Sequence, residues 1–280
     1  MGGSNGRYAV PRPFVKWVGG KRQLLGEMAA RQPANFRTYH APFVGGGAFF
    51  FYLVRQGMIR PRMAVLSDIN HELMTAYRAV RDCVGTVITH LDEHRNEKSY
   101  YYQVRSLDPV RLSPAAAAGR FIYLNKTCYN GLMRYNSQGQ FNTPYGYYQN
   151  PTICDRENLA ACAQALELAH LAAWDFEAVL DNARSGDFVY CDPPFFPLSE
   201  TANFTEYTAG GFSVEDQKRL AAMVHRLTRM GVYVMASNHD VPQVHQLYQG
   251  LRIERVTANR AINSKGSRRG PVPEVLITNY

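Results

Sequence analysis

Phe188-Val189-Tyr190-Cys191-Asp192-Pro193-Pro194-Phe195 decides how this chain is read. Its first four residues are short, apolar and preceded by the turn pair Gly186-Asp187, the pattern of a strand buried in a parallel sheet. The next four carry chemistry. Asp192 is a hydrogen-bond acceptor. Pro193 and Pro194 fix φ and lack N–H groups, so their carbonyls are rigidly aimed. Phe195 supplies a face for stacking. Together they suit a planar, amino-bearing ring whose N–H protons are accepted while its nitrogen attacks an electrophile. An ordinary strand exit with a proline turn reads the same residues as well, because short motifs recur by chance.

A second constellation lies upstream. Phe43-Val44-Gly45-Gly46-Gly47-Ala48 precedes the apolar Phe49-Phe50-Phe51-Tyr52-Leu53. A glycine turn between strand and helix lets the backbone approach a ligand closely, as in nucleotide-binding crossovers. Asp68 follows Gly45 by 23 residues and ends the strand-like Met63-Ala64-Val65-Leu66. That is the place of a ribose-binding acid in such a unit. A tight turn explains the glycines by themselves, and Asp68 could equally cap a helix over Ile69–Tyr77. The turn, the acid and the Asp192 motif gain weight together, because each belongs at a strand's carboxyl end.

Further from these motifs the chain divides into zones. His71 to about Cys154 reads as helices over His71–Cys83, Val84–His94, Tyr100–Leu107 and Ser113–Leu124, followed by a polar, glycine- and tyrosine-rich segment from Asn125 to Asn150. Afterwards strand and helix alternate: helices over Glu157–Ala169 and Val214–Met230, strands at Phe188, at Val232–Ala236 and at Glu274–Tyr280. Alternation on both sides of a helical middle predicts an α/β fold, a Rossmann-like doubly wound sheet carrying an insertion. The expected division is residues 1–70 and 155–280 for the sheet domain and 71–154 for the insertion.

Composition narrows the partners. The 280 residues hold 31 Lys+Arg against 23 Asp+Glu, a formal net charge of +8 that favours a polyanion. The five cysteines, Cys83, Cys128, Cys154, Cys162 and Cys191, form no close pairs, which argues against a zinc site or a disulfide framework and for reduced thiols in a cytosol. No secretion signal and no membrane-length apolar run is apparent.

Read together, these blocks resemble the Dam family of DNA adenine-N6 methyltransferases, from Phe14 to Tyr280. The resemblance rests on Phe14-Val15-Lys16-Trp17-Val18-Gly19-Gly20-Lys21, Pro42–Ala48, Ser67-Asp68-Ile69-Asn70 and Tyr129-Asn130-Gly131-Leu132-Met133-Arg134-Tyr135-Asn136. It continues through Phe141-Asn142-Thr143-Pro144-Tyr145-Gly146 and Tyr190–Phe195 with Pro197-Leu198-Ser199 and Asn203-Phe204-Thr205. It implies methyl transfer from S-adenosylmethionine to the exocyclic amine of adenine in double-stranded DNA, within GATC, without a metal. The base would be flipped out. Asp192, Pro193, Pro194 and Phe195 would be catalytic. Trp17, Lys21, Phe43, Gly45, Asp68 and Asp192 would hold the cofactor, with Asp68 on the ribose hydroxyls. Lys16, Tyr129, Asn130, Leu132, Arg134, Pro144 and Tyr148 would read DNA or fill the gap left by the flipped base. The loop cations Lys265, Arg268 and Arg269 suit phosphate contacts. A cytoplasmic, nucleoid-associated monomer is expected.

Two positions depart from the family pattern. Ala41 stands where an acid usually ends the first strand, so that His40 or a water would have to substitute. Phe195 replaces the usual tyrosine, which keeps stacking and loses a hydroxyl. A catalytically silent DNA-binding protein on a methylase scaffold, or a methyltransferase acting on a protein amide, are the rival readings.

Overall fold

The computed structural model describes residues 9–19, 21–196, 211–259 and 271–280. Seven strands form one sheet: β1 (Tyr39–Ala41), β2 (Ala64–Ser67), β3 (Ala169–Ala172), β4 (Phe188–Cys191), β5 (Tyr233–His239), β6 (Arg252–Asn259) and β7 (Pro271–Thr278), in the order β3-β2-β1-β4-β5-β7-β6. The first five are parallel, and β7 runs against both of its neighbours. The order reverses between β1 and β4, where a doubly wound sheet opens a crevice at its carboxyl edge.

Alternation of side chains explains why the sheet is covered on both faces. Phe188 and Tyr190 of β4 enter one core with Tyr39, Met235 and Leu276. Val189 and Cys191 enter the other with Val234, Ala236, Val275 and Ile277. The first core is closed by helices α1 (Leu25–Arg31), α2 (Ala48–Arg55), α3 (His71–Glu93), α4 (Lys98–Ser106), α5 (Pro114–Thr127) and α6 (Arg156–Leu166). The second is closed by α7 (Val179–Asn182), α8 (Val214–Arg229) and α9 (Pro242–Leu247).

The sequence readings hold with shifts. The two helices expected over residues 71–94 form one run broken at Cys83, whose φ of −150° and ψ of 46° are not helical. The helix expected to reach Ala169 stops at Leu166, and Ala169–Ala172 is a strand that its neighbours hid. β5 extends three residues beyond Ala236, through Ser237, Asn238 and His239. β6 was not anticipated, because Arg252, Glu254 and Arg255 give it the look of a solvated loop. Among the described residues no helix is long and apolar enough to cross a membrane.

Candidate active site at the carboxyl edge of the sheet

β1 ends at Ala41, and the chain turns sharply through Pro42–Gly47. Val44 N–H donates to Ser67 O at 2.9 Å, tying this turn to β2. Gly45 has φ +48°, and a Cβ there would lie 2.6 Å from Trp17 Cδ1, so the indole sits directly on the bare backbone. Asp68 Oδ2 accepts from Gly45 N–H at 3.1 Å and Oδ1 accepts from Asn70 N–H at 3.0 Å. Burial pushes the Asp68 carboxyl above its ordinary value, and these amides oppose that rise. Asp68 is thus committed to the turn. The cap of α3 is Asn70, whose Oδ1 accepts from Leu73 N–H at 3.0 Å. Phe43 stacks on Phe176 at 5.3 Å and 22° and meets Phe212 edge-on at 5.7 Å. Sequence reading missed both of these partner rings; Phe176 follows β3, the strand that was hidden.

The loop after β4 lies beside this turn. Asp192 Oδ1 accepts from Ser237 Oγ at 2.8 Å and from Lys21 Nζ at 2.9 Å. Lys21 is only 6% exposed. Its ammonium also donates to Gly19 O at 2.8 Å, lies 4.0 Å from Glu274 Oε2 and stands 4.2 Å from the Phe195 ring centre. It is therefore no solvated surface lysine. Both donors fall on Oδ1, and no described residue donates to Oδ2 or to the Pro193 carbonyl. The Pro194 carbonyl, in contrast, accepts from Gln217 Nε2 at 2.7 Å. Phe195 meets His239 edge-on at 4.9 Å. Asp192, Pro193 and Phe195 thus follow one another on a short loop, and Lys21 touches both the Asp192 carboxylate and the Phe195 ring.

Ala41 leaves the end of β1 without an acid, and His40 does not replace it. The His40 ring is buried and its Nε2 is bonded to Asp187 Oδ2 at 3.1 Å, at the entry to β4. Among the described residues no cluster of His, Cys, Asp and Glu is arranged to hold a metal ion.

The residues expected to read DNA gather beside Lys16. The Lys16 peptide exchanges two hydrogen bonds with the buried Asn125 side chain, each 2.7 Å. Gly131 has φ +65°, and a Cβ there would lie 2.8 Å from Lys16 Cβ. Lys16 Nζ donates to Lys126 O at 3.2 Å and stands 4.1 Å from the centre of the Tyr148 ring. Burial lowers its pKa. Tyr129 N–H donates to Pro144 O at 2.9 Å, and the neighbouring Asn130 has φ +54°. Thr143 Oγ1 donates to Leu132 O at 2.8 Å and accepts from Arg134 N–H at 3.2 Å. Arg134 lies on a short hairpin in which Tyr135 bridges Phe141, and its side chain is exposed. Lys16 and Trp17 are consecutive, so the recognition cluster and the glycine turn share one short stretch of chain. Gly20, Pro197-Leu198-Ser199, Asn203-Phe204-Thr205, Arg260, Lys265, Arg268 and Arg269 lie outside the described residues.

A carboxylate, a proline pair and an aromatic ring beside a glycine turn, at the carboxyl edge of a doubly wound sheet, mark the kind of crevice in which such folds bind ligands. Comparison with known proteins gives the chain its family. Residues 17–262 match the family model for D12 class N6 adenine-specific DNA methyltransferases. The chain is 42% identical to the Type II methyltransferase M1.LlaDCHI of Lactococcus lactis subsp. cremoris, covering 96% of this chain and 95% of that protein. It is 39% identical to the Type II methyltransferase M.MjaIII of Methanocaldococcus jannaschii, covering 96% and 99%. With the DNA adenine methylase of Serratia marcescens the identity is 36%, over 95% and 97%. The chain belongs to the D12 class of N6 adenine-specific DNA methyltransferases, and it is an enzyme of that kind.

Proposed function

We propose that this enzyme moves a methyl group from S-adenosylmethionine to N6 of an adenine flipped out of duplex DNA, within GATC. The observation that supports this reading is that Ser237 and Lys21 hold Asp192 on Oδ1 and Gln217 takes the Pro194 carbonyl, beside a Phe195 ring that Lys21 also touches. An adenine amine is a poor nucleophile, because its lone pair is delocalised into the ring. Accepting one N–H at Asp192 and the other at Pro193 localises that pair and aims it. The gain is positioning and preorganised electrostatics rather than a strong base. Ser237 and Lys21 fix Asp192 through Oδ1 and so present Oδ2. As the nitrogen–carbon bond forms, the methyl–sulfur bond of the sulfonium would break to leave S-adenosylhomocysteine, and one amine proton would then leave by way of Asp192 to water. Phe195 holds the base by stacking.

The residues present fit the cofactor. Trp17 covers the bare backbone of Gly45, whose N–H and C=O are taken by Asp68 and Tyr77, so the turn would present the Trp17 indole to the cofactor. The Asp68 carboxylate is fixed at that turn for ribose hydroxyls. Phe43 and Phe176 supply apolar ring surface. When bound, the cofactor supplies an electrophilic methyl on a sulfonium and needs no metal. Trp17, Lys21, Phe43, Gly45, Asp68 and Asp192 would hold it.

Residues 71–154 are proposed to form the recognition part, with residues 1–70 and 155–280 forming the catalytic part. Arg134 would pair with guanine, Lys16 with the outer guanine beside Tyr148, and Tyr129, Asn130, Leu132 and Pro144 would line the site. Lys265, Arg268 and Arg269 would contact phosphates. The enzyme would act as a cytoplasmic monomer, bound to the nucleoid through DNA. Transfer of labelled methyl to unmethylated GATC duplex, with premethylated duplex and a protein acceptor as controls, tests this reading. Label on the protein, or equal label on the premethylated duplex, would overturn it.

A further inference from the structure

The loop Asp192–Phe196 faces an unusual problem of support. Its two prolines have no N–H, so its backbone between Asp192 and Phe196 can be fastened only through carbonyls and through the N–H groups of the non-proline residues. Two buried amides do this. Gln217, 1% exposed, sits on α8 and donates its Nε2 to the Pro194 carbonyl at 2.7 Å. Its Oε1 accepts from Asn238 Nδ2 at 3.1 Å. Asn238, 0% exposed at the end of β5, accepts at Oδ1 from Phe196 N–H and from His239 N–H, both at 2.9 Å.

The chain of bonds has one direction. Because Asn238 Oδ1 receives two backbone N–H groups, its nitrogen must face Gln217, and the Gln217 nitrogen must then face Pro194. The helix start is fixed as well: Ser213 and Asp216 form a capping box immediately before Gln217. Neither amide reaches Asp192, the cofactor turn or the recognition hairpin.

We infer that Gln217 and Asn238 are positioning residues that, by occupying the Pro194 carbonyl, leave Pro193 as the carbonyl presented to the target amine. This rests on the proposed methyl transfer. Gln217→Glu keeps an oxygen for Asn238 but sets a second oxygen against the Pro194 carbonyl. Asn238→Asp keeps the acceptor for Phe196 and loses the donor to Gln217. Gln217→Met removes both polar ends at similar length.

Each variant is assayed in single turnover with S-adenosylmethionine and GATC duplex. DNA and cofactor affinity, thermal melting, and the fluorescence rise of 2-aminopurine at the target position are read alongside. The expected result is a transfer rate lowered about 10²-fold, the scale of a small misplacement at a reacting centre, with affinity and base flipping unchanged. The double variant Gln217→Met with Asn238→Asp should be no worse than the poorer single one, because the pair acts as a unit and no second carboxylate is added. Undiminished transfer by folded variants overturns the inference, and so does a parallel loss of melting temperature, binding and flipping. If the wild-type protein transfers no methyl to DNA, the functional reading falls first and the inference with it.

Discussion

The loop after β4 and the segment Tyr129–Tyr148 are both irregular chain, yet they are held in opposite ways. Around the loop, side chains of β5 and α8 fasten residues 192–196: Ser237 holds the Asp192 carboxylate, while Asn238, His239 and Gln217 hold the backbone of Phe196 and Pro194. In the segment Tyr129–Tyr148 the backbone fastens to itself, through Tyr129–Pro144, Arg134–Asn142 and Asn136–Gln140 bonds, and side chains of Tyr101, Arg105 and Asn96 hold only its carbonyls at residues 142, 143 and 148. Tyr129 and Arg134 are left reaching into solvent. On the proposed reading, acceptors that must not move are mounted on the sheet. The side chains proposed to read a duplex would reach outward from a firm base, here Asn125 under Lys16.

That contrast can be broken most sharply at Asp192. Asp192→Ala should lower methyl transfer by about 10²-fold or more while DNA affinity persists, since one preorganised electrostatic contact is lost. Filter binding and single-turnover assays on the same preparation decide it; a variant retaining a tenth of the rate removes Asp192 from its role. Phe195 comes next. Phe195→Ala should cost about 1–3 kcal/mol of base stacking, seen as weaker 2-aminopurine response and slower transfer, whereas Phe195→Tyr should keep or raise activity. Equal rates for Phe and Ala would end the stacking role.

On the recognition side, Arg134→Ala should cost about 1–3 kcal/mol in specific binding and relax discrimination at one guanine. Methylation profiling over near-cognate sites checks this, and a uniform loss with no change of preference would make Arg134 a phosphate contact. The smallest effect belongs to Arg268→Ala with Arg269→Ala. This pair should weaken binding to all sequences alike and flatten its salt dependence. A change in sequence preference would move the pair into the reading set.

Asp68 sharpens the comparison through pH. Its folded pKa is raised, with burial the main cause, so the carboxylate becomes protonated on acidification earlier than an exposed aspartate would. Ribose recognition by the ionised form should therefore be intact above the raised folded value and be lost as pH falls through it. Calorimetric cofactor titrations down the acid range should show the decline, and Asp68→Asn should abolish that pH dependence. The sign for stability is opposite: burial of the charge costs stability as pH rises from the unfolded value through the folded one.

Much of the cleft was legible because its chemistry is local in sequence. Asp192–Phe195 is contiguous, and Gly45 with Asp68 keeps a spacing set by one strand–helix–strand unit. The supports were not legible. Ser237, Asn238 and His239 look like a polar loop after an apolar strand, and only pairing of Asn238 with Val275 in β7 shows that the strand continues. Gln217 on an amphipathic helix reads as a solvated residue until the loop it serves is in place. Phe176 was hidden with β3, where Ala169-His170-Leu171-Ala172 is too short and mixed to stand out from the preceding helix.

The reversed direction of β7 has an electrostatic consequence. A strand running against its neighbours begins at the edge where they end, which is how Glu274, early in β7, comes within 4.0 Å of Lys21. Among the described residues, Asp192 and Glu274 then both face Lys21, in a chain whose net charge is +8. The two substrates of the proposed reaction carry opposite charges. A polyanionic duplex would be drawn by the net positive charge, while a cationic methyl donor would meet the carboxylates of Asp192 and Glu274. Added salt should therefore screen the approach of the duplex far more than the seating of the donor.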